Sequence, residues 1–363
     1  VEIAAIAPVA QIPAPAQRDD LCIRHFHRDI DTSWRRTSYS GLVRSAQEAI
    51  GVSSEPEIVE LDDEVADIAL VTPAAGADVP SPMGELPAGA KFGSLVHAVL
   101  ETADPLAADL AAELATEIGK HSVWWPVDAP TAELAAALVP LHDTPLGPLA
   151  GDLTLRQIGL ADRLCELDFE FPLAGGDLRG RQTNGAAPDI RLADVGRLLG
   201  RYLGAGDPLA PYVDRLTDAT LGRQSLRGYL SGSLDVVLRI PDPSGKSGGH
   251  RYLVADYKTN WLGDADRPLT AAAYTTDRMA EAMLHSDYPL QALLYCVVLH
   301  RFLRWRLPDY DPARHLGGVL YLFVRGMCGP DTPLAGAAPC GVFQWHPPAR
   351  LVTGLSDMLA GGP

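Results

Sequence analysis

Basic charge is scarce in this chain, and so is cysteine. The 363 residues carry 30 Lys and Arg against 46 Asp and Glu, a formal net charge of −16. Such a balance excludes a protein that coats nucleic acid by charge alone. An enzyme that cuts nucleic acid is not excluded, because catalysis needs a local site and not a basic envelope. The five cysteines (Cys22, Cys165, Cys296, Cys328 and Cys340) are far apart and odd in number. They form neither a disulfide framework nor a CxxC metal clip, so a reducing cytoplasm is the expected setting. Cys22, His25 and His27 in CIRHFH lack the second half that a zinc site needs. No apolar run approaches the roughly 20 residues that cross a bilayer. A nucleotide-binding P-loop is missing too. SGKS at 244–247 ends like one, but the required first glycine is Ile240, and the loop joins two strand-like segments.

What is present reads as a large α/β protein, 47% hydrophobic and long enough for an ample core. Residues 1–30, Pro- and Ala-rich, read as a tether from an upstream region. Residues 31–90 read as a helix from about Ser40 to Ile50 followed by a linker. That linker crowds Glu55, Glu57, Glu60, Asp62, Asp63, Glu64 and Asp67 together with no Lys or Arg between Arg44 and Lys91. Residues 91–363 read as the main domain. Helical periodicity runs through KFGSLVHAVLETAD and two further segments, making an N-terminal helical region. From Asp162 the period changes: RLCELDFEFPLAG, LRGYLSGSLDVVLRI and RYLVADYK read as strands, the last two joined across PDPSGKSGGH as a hairpin. A long helix over 289–306, then HLGGVLYLFVRGM and GVFQWH as strands and a last helix, complete a mixed sheet flanked by helices.

Two carboxylates stand out within apolar strands: Asp235 in SLDVVLRI and Asp256 in YLVADYK. A carboxylate there is costly unless something pairs with it. Two on paired strands raise one another's pKa unless a cation lies between them, and a hard divalent ion meets that need. Lys258 is two residues beyond Asp256 and so on the same strand face, with Tyr257 on the other. It is placed to orient a water and to offset charge on a phosphate in metal-assisted phosphodiester hydrolysis. The strand pattern alone fits an exposed hairpin with a cross-strand Asp–Lys pair equally well. His97 in GSLVHAVLE lies on an apolar helix face, where a lone histidine is commonly a core residue, with Glu101 one turn later. Gln291 and Tyr295 are one turn apart on the long helix, within reach of a scissile phosphate beside it.

GxxxH in GSLVH, the aspartate of GSLD, DYKTN and QxxxY in QALLY together resemble the successive motifs of RecB-type nuclease domains, members of the PD-(D/E)xK restriction-endonuclease-like superfamily. WRRTSYSGL, DYKTNWLG, HRFLRWRLPDYD and HLGGVLYLFVRGM extend the likeness over nearly all the chain from about Thr32. The resemblance implies a restriction-endonuclease-like mixed sheet core. It implies Mg²⁺ held by His97, Asp235, Asp256 and the backbone carbonyl of Tyr257, with Lys258 the catalytic lysine and Gln291 and Tyr295 an accessory pair. Glu101 and Glu166 are further candidates without an assigned role. The superfamily's Pro-Asp is Leu-Asp here. Relatives with a four-cysteine iron–sulfur staple differ from this chain, which has only Cys328 and Cys340 after the QxxxY helix, so no cluster is expected. AddA-type nuclease domains also lack that staple; NWLG and HRFLRWRLPDYD favour the RecB branch. The implied activity is that of an exonuclease V-type enzyme at double-strand breaks, degrading single-stranded DNA delivered by a helicase, with RecC and RecD as partners. A catalytically inactive module on the same fold, binding DNA or regulating it, is the alternative.

Overall fold

A computed structural model of the chain describes residues 34–47, 78–174, 189–242, 249–264 and 266–362. All of them belong to a unit running Ser33–Pro363. The tether, the CIRHFH stretch, the acidic linker and Lys246 of the hairpin loop lie outside the described residues.

The centre is a mixed sheet of six strands: β1 (Arg35–Thr37), β2 (Arg163–Pro172), β3 (Gly228–Pro241), β4 (His250–Lys258), β5 (Leu316–Phe323) and β8 (Val342–Trp345). β3, β4, β5 and β8 follow one another across it, and β2 covers the outer edge of β3 in antiparallel register. β4 and β5 run parallel. Parallel neighbours need a crossover, supplied here by α7 (Thr276–His285) and α8 (Tyr288–Arg306). β5 is buried along its whole length, as a strand covered on both faces should be. α8 is apolar nearly all round and buried over most of its 19 residues, so it serves as a core helix.

Helices cover both faces. On one, α8 packs with α5 (Leu192–Tyr202) and α10 (Ala349–Leu359) over Val237, Val254, Val319 and Tyr321. On the other, α2 (Ala90–Thr102), α3 (Leu110–His121) and α4 (Thr131–Asp143) pack over Val236, Leu238, Ala255, Tyr257 and Leu320. The expected helices and strands form, within a few residues of the expected ends. Sequence periodicity did not disclose β1, α6 (Tyr212–Thr217), α7, α9 (Pro312–His315) or the two-residue strands β6 (Leu334–Ala335) and β7 (Ala338–Pro339). These are too short, or too mixed in polarity, to carry a period.

β3 is shared unequally on its inner edge. β1 pairs in parallel with Gly228–Leu230, and β4 pairs antiparallel with Val236–Pro241, leaving residues 231–235 between the two ladders. Gly228 permits the crowding at this fork. Its φ is +110°, and a Cβ would stand 2.0 Å from the Arg35 carbonyl oxygen.

His142 near the end of α4 is 1% exposed, and its Nδ1 meets the Leu138 carbonyl at 2.9 Å. Burial lowers its pKa to about 4 from 6.5, with the Arg163 and Arg156 charges contributing. The unfolded chain therefore takes up this proton first. The stabilising effect of a neutral His142 is complete above about pH 6.5 and is lost as pH falls toward 4. In urea unfolding at pH 7 and pH 4.5, wild type should lose about 2–3 kcal/mol more than His142→Leu over that interval. Equal losses in the two proteins would contradict this reading.

Candidate active site

The fork in the sheet creates the site. Antiparallel pairing of β3 with β4 stops at Val236 and Ala255, so the next residues on each strand diverge. Alternation along β3 also breaks there. Leu234 packs on the same face as Val237, three positions on, whereas a regular strand would place them on opposite faces. Asp235 lies at this irregularity and turns into the fork, where its Oδ2 accepts the Tyr257 backbone N–H at 2.9 Å. The carboxylate thus satisfies a donor that the ladder no longer pairs.

His97 reaches the same carboxylate from α2, Nδ1 to Oδ2 at 3.3 Å. The histidine is therefore not simply a core residue. Its ring also stands edge-on to Tyr257, with centroids 6.0 Å apart. Burial by itself would lower the His97 pKa, but the charge and hydrogen bond of Asp235 outweigh it and the net direction is upward. Burial likewise acts to raise Asp235, yet His97, Lys258 and the Tyr257 N–H carry it below the ordinary value.

Asp256 is 2% exposed and faces Lys258, with Oδ2 2.7 Å from Nζ. Apart from this ammonium, no group donates to this buried oxygen. Burial pushes the carboxyl up to about 6, with Lys258 opposing and Asp235 adding to the rise. Lys258 is held charged: burial acts to lower its pKa, but Asp256, Tyr288 and Asp235 raise it. Each carboxylate is thus turned to its nearest positive group. Among the described residues no three His, Cys, Asp or Glu side chains already form a cage.

The outer side of the fork is acidic as well. Cys165 pairs with Val236 and Leu167 with Leu234, which puts Glu166 opposite Asp235. Glu166 has a left-handed backbone, φ +44°, strained for a residue with a side chain. Its Oε2 accepts from Ser233 Oγ at 2.8 Å. Burial raises the Glu166 pKa, Ser233 opposes, and Asp235 and Glu101 raise it further.

Gln291 and Tyr295 are joined by a 3.0 Å hydrogen bond from Nε2 to the tyrosine oxygen. Tyr321 on β5 donates to Gln291 Oε1 at 2.8 Å. Tyr321 pairs with Asp256 across the parallel ladder, so this network backs directly onto the Asp256 side of the fork. Tyr288 and Tyr321 were not singled out in the sequence. A signal existed: Tyr288, Gln291 and Tyr295 follow i, i+3, i+7 spacing on one helix face. Of the three arginines near the end of α8, Arg301 is tied to Ser356 at 3.0 and 2.8 Å, while Arg304 and Arg306 are exposed.

An imidazole and two buried carboxylates, one of them met by the Lys258 ammonium alone, are ligand types that suit a hard cation. No family model matches the chain. It is 65% identical over 358 residues, 98% of its length, to the RecBCD enzyme subunit RecB of Mycolicibacterium smegmatis. It is 60% identical over its whole length to the RecB of Mycobacterium tuberculosis, and 30% over 336 residues to that of Escherichia coli. The chain belongs to the RecB family. It matches the C-terminal region of RecB, and spans about a third of the length of the mycobacterial relatives. The RecB match and the mixed sheet agree with the expected restriction-endonuclease-like fold. Among the described residues, no helix is long and apolar enough to cross a membrane.

Proposed function

We propose that the chain is a Mg²⁺-dependent DNA nuclease domain of a RecBCD-like helicase–nuclease, hydrolysing phosphodiester bonds during double-strand break processing. The observation that carries this reading is the sheet fork, which gathers His97, Asp235, Asp256 and Lys258 from three separated segments of a RecB-related chain. His97, Asp235, Asp256 and the Tyr257 carbonyl would hold the ion. Bound there, Mg²⁺ would supply an activated water and neutralise charge on the phosphate. Lys258 contributes the positive N–H donors that meet charge developing on the non-bridging phosphate oxygens. Gln291 and Tyr295 limit movement along the α8 side of the site through their link to Tyr321.

The substrate is single-stranded DNA fed by a helicase, and RecC and RecD are the partners this reading assigns. Delivery by partners also accounts for a nuclease domain of net charge −16. The test is cleavage of end-labelled single-stranded DNA with Mg²⁺. Wild type should cut and chelation should stop it. Lys258→Gln should slow the rate by roughly a hundredfold or more, the scale of losing one preorganised electrostatic donor. Equal rates for wild type and Lys258→Gln would overturn the assignment, and so would cleavage that persists after chelation.

A further inference from the structure

Lys258 has company besides Asp256. Its Nζ lies 4.2 Å from the centroid of the Tyr288 ring and 5.5 Å from that of Tyr321. The two rings are stacked, 5.8 Å apart and 23° from parallel, and both are buried. We propose that Tyr288, backed by Tyr321, is a positioning residue that holds the Lys258 ammonium against its ring face and keeps it aimed along the Asp256 side of the fork. This inference rests on the nuclease reading above.

The surroundings hold the ring in place independently of the lysine. Asp287, immediately before Tyr288, is buried with a left-handed backbone at φ +56°. It is pinned by Tyr212 Oη at 2.9 Å and by the Arg215 guanidinium at 3.1 and 3.2 Å. Tyr39 Oη donates to the Ser286 carbonyl at 2.8 Å. Pro289 then stiffens the first turn of α8. On the other side, Tyr321 Oη is fixed on Gln291 at 2.8 Å and its backbone is in the β4–β5 ladder. A ring that follows a strained, clamped residue and is backed on its other side is a preformed surface.

The physical need is clear. A lysine has a flexible stem and a strongly hydrated point charge, so a buried ammonium aims poorly unless something other than water receives it. A carboxylate alone would draw it toward Asp256, a group the reaction must also use. An aromatic face attracts the ammonium without taking up a carboxylate oxygen, and it does so more strongly when water is excluded. The role belongs to the ring face, which phenylalanine shares.

The chain has four lysines, Lys91, Lys120, Lys246 and Lys258, so ¹³Cε-lysine NMR can assign each one. The experiment places Phe, mono-, di- and trifluoro-Phe, and Leu at position 288 of the whole chain. Single-turnover cleavage with saturating Mg²⁺ and DNA is measured beside the Lys258 ε-methylene shift. Tyr288→Phe should keep most of the rate. The fluorinated rings should slow it stepwise to about tenfold at trifluoro-Phe, as a weakened ring quadrupole requires. The Lys258 ε-methylene should be shifted upfield by the ring in wild type and should lose that shift in Tyr288→Leu. A rate that ignores fluorination overturns the proposal, as does an ε-methylene signal that Tyr288→Leu leaves in place. If wild type itself does not cut, the nuclease reading fails, and the NMR shift alone decides whether the ring holds the lysine.

Discussion

Asp256→Asn should cut single-stranded DNA about a thousandfold more slowly than wild type, yet be at least as stable in metal-free buffer. The first half follows from position. Asp256 lies near the end of β4 at the fork, 2.7 Å from Lys258, and is one of the two carboxylates that the proposed function assigns to the cation. Losing a group that stabilises developing charge in a water-poor site costs on the order of a hundred- to a thousandfold. The second half follows from how the carboxylate is housed. It is 2% exposed, and burial pushes its pKa up to about 6 despite the Lys258 ammonium at 2.7 Å. A fold that keeps such a carboxylate ionised at pH 7 gives up stability for it, on the order of 1–3 kcal/mol. Asparagine keeps the volume and the oxygen facing Lys258 while removing the charge. Urea unfolding in EDTA and again with Mg²⁺ separates the two effects. Wild type should gain stability from the ion and Asp256→Asn should not. An active variant would contradict the ligand assignment. A variant more than about 2 kcal/mol weaker in EDTA would show Asp256 to be a structural ion-pair partner instead.

How much of this could be read without coordinates depends on the residue. Asp256 and Lys258 were legible because a strand's period of two fixes their shared face, and charges in an apolar strand demand a reason. Asp235 was legible as an anomaly, but not the turn that aims it. That turn arises where the β3–β4 ladder ends, a fact of long-range pairing that RLCELDFEF and GSLDVV do not encode separately. His97 sits on a helix whose pattern matches any core helix. Only packing of α2 over Tyr257 brings it within 3.3 Å of Asp235. Glu166 is the clearest limit: alternation in its strand is regular on paper, while the backbone at that residue is left-handed. Tyr288 and Tyr321 were hidden for the opposite reason, since nothing in an aromatic's identity separates core filler from a surface that meets a cation. The long, strongly patterned elements were readable, and the short ones were set by tertiary contacts that have no local signature.

Arg325 marks the other extreme of legibility, and its replacement should have the largest effect on stability. It follows β5 in VRGM, an unremarkable place for a basic residue, yet it is fully buried. Its guanidinium donates to the Thr259 carbonyl at 2.8 Å, to Met83 at 2.8 Å, to Leu86 at 3.3 Å, and to Pro87. The group also lies over the rings of Phe92 and Trp261, at 4.7 and 5.4 Å. Thr259 directly follows Lys258, while residues 83–87 lead into α2, the helix that carries His97. One side chain therefore ties the two arms of the site together through backbone carbonyls. Arg325→Met would remove these charged hydrogen bonds to backbone carbonyls together, a loss of about 3–5 kcal/mol summed over several bonds. Arg325→Lys should recover only part of it. An ammonium is a single point of donors, whereas these acceptors are spread around a planar fork. Urea unfolding of the three proteins gives the ranking directly. Cleavage by Arg325→Lys, assayed where the protein is fully folded, should fall alongside it, because the His97 arm and the Lys258 arm lose their common anchor. A lysine variant as stable as wild type would show that the charge matters and the fork does not. One that is less stable but fully active would mean that the two arms keep their relative position without this link.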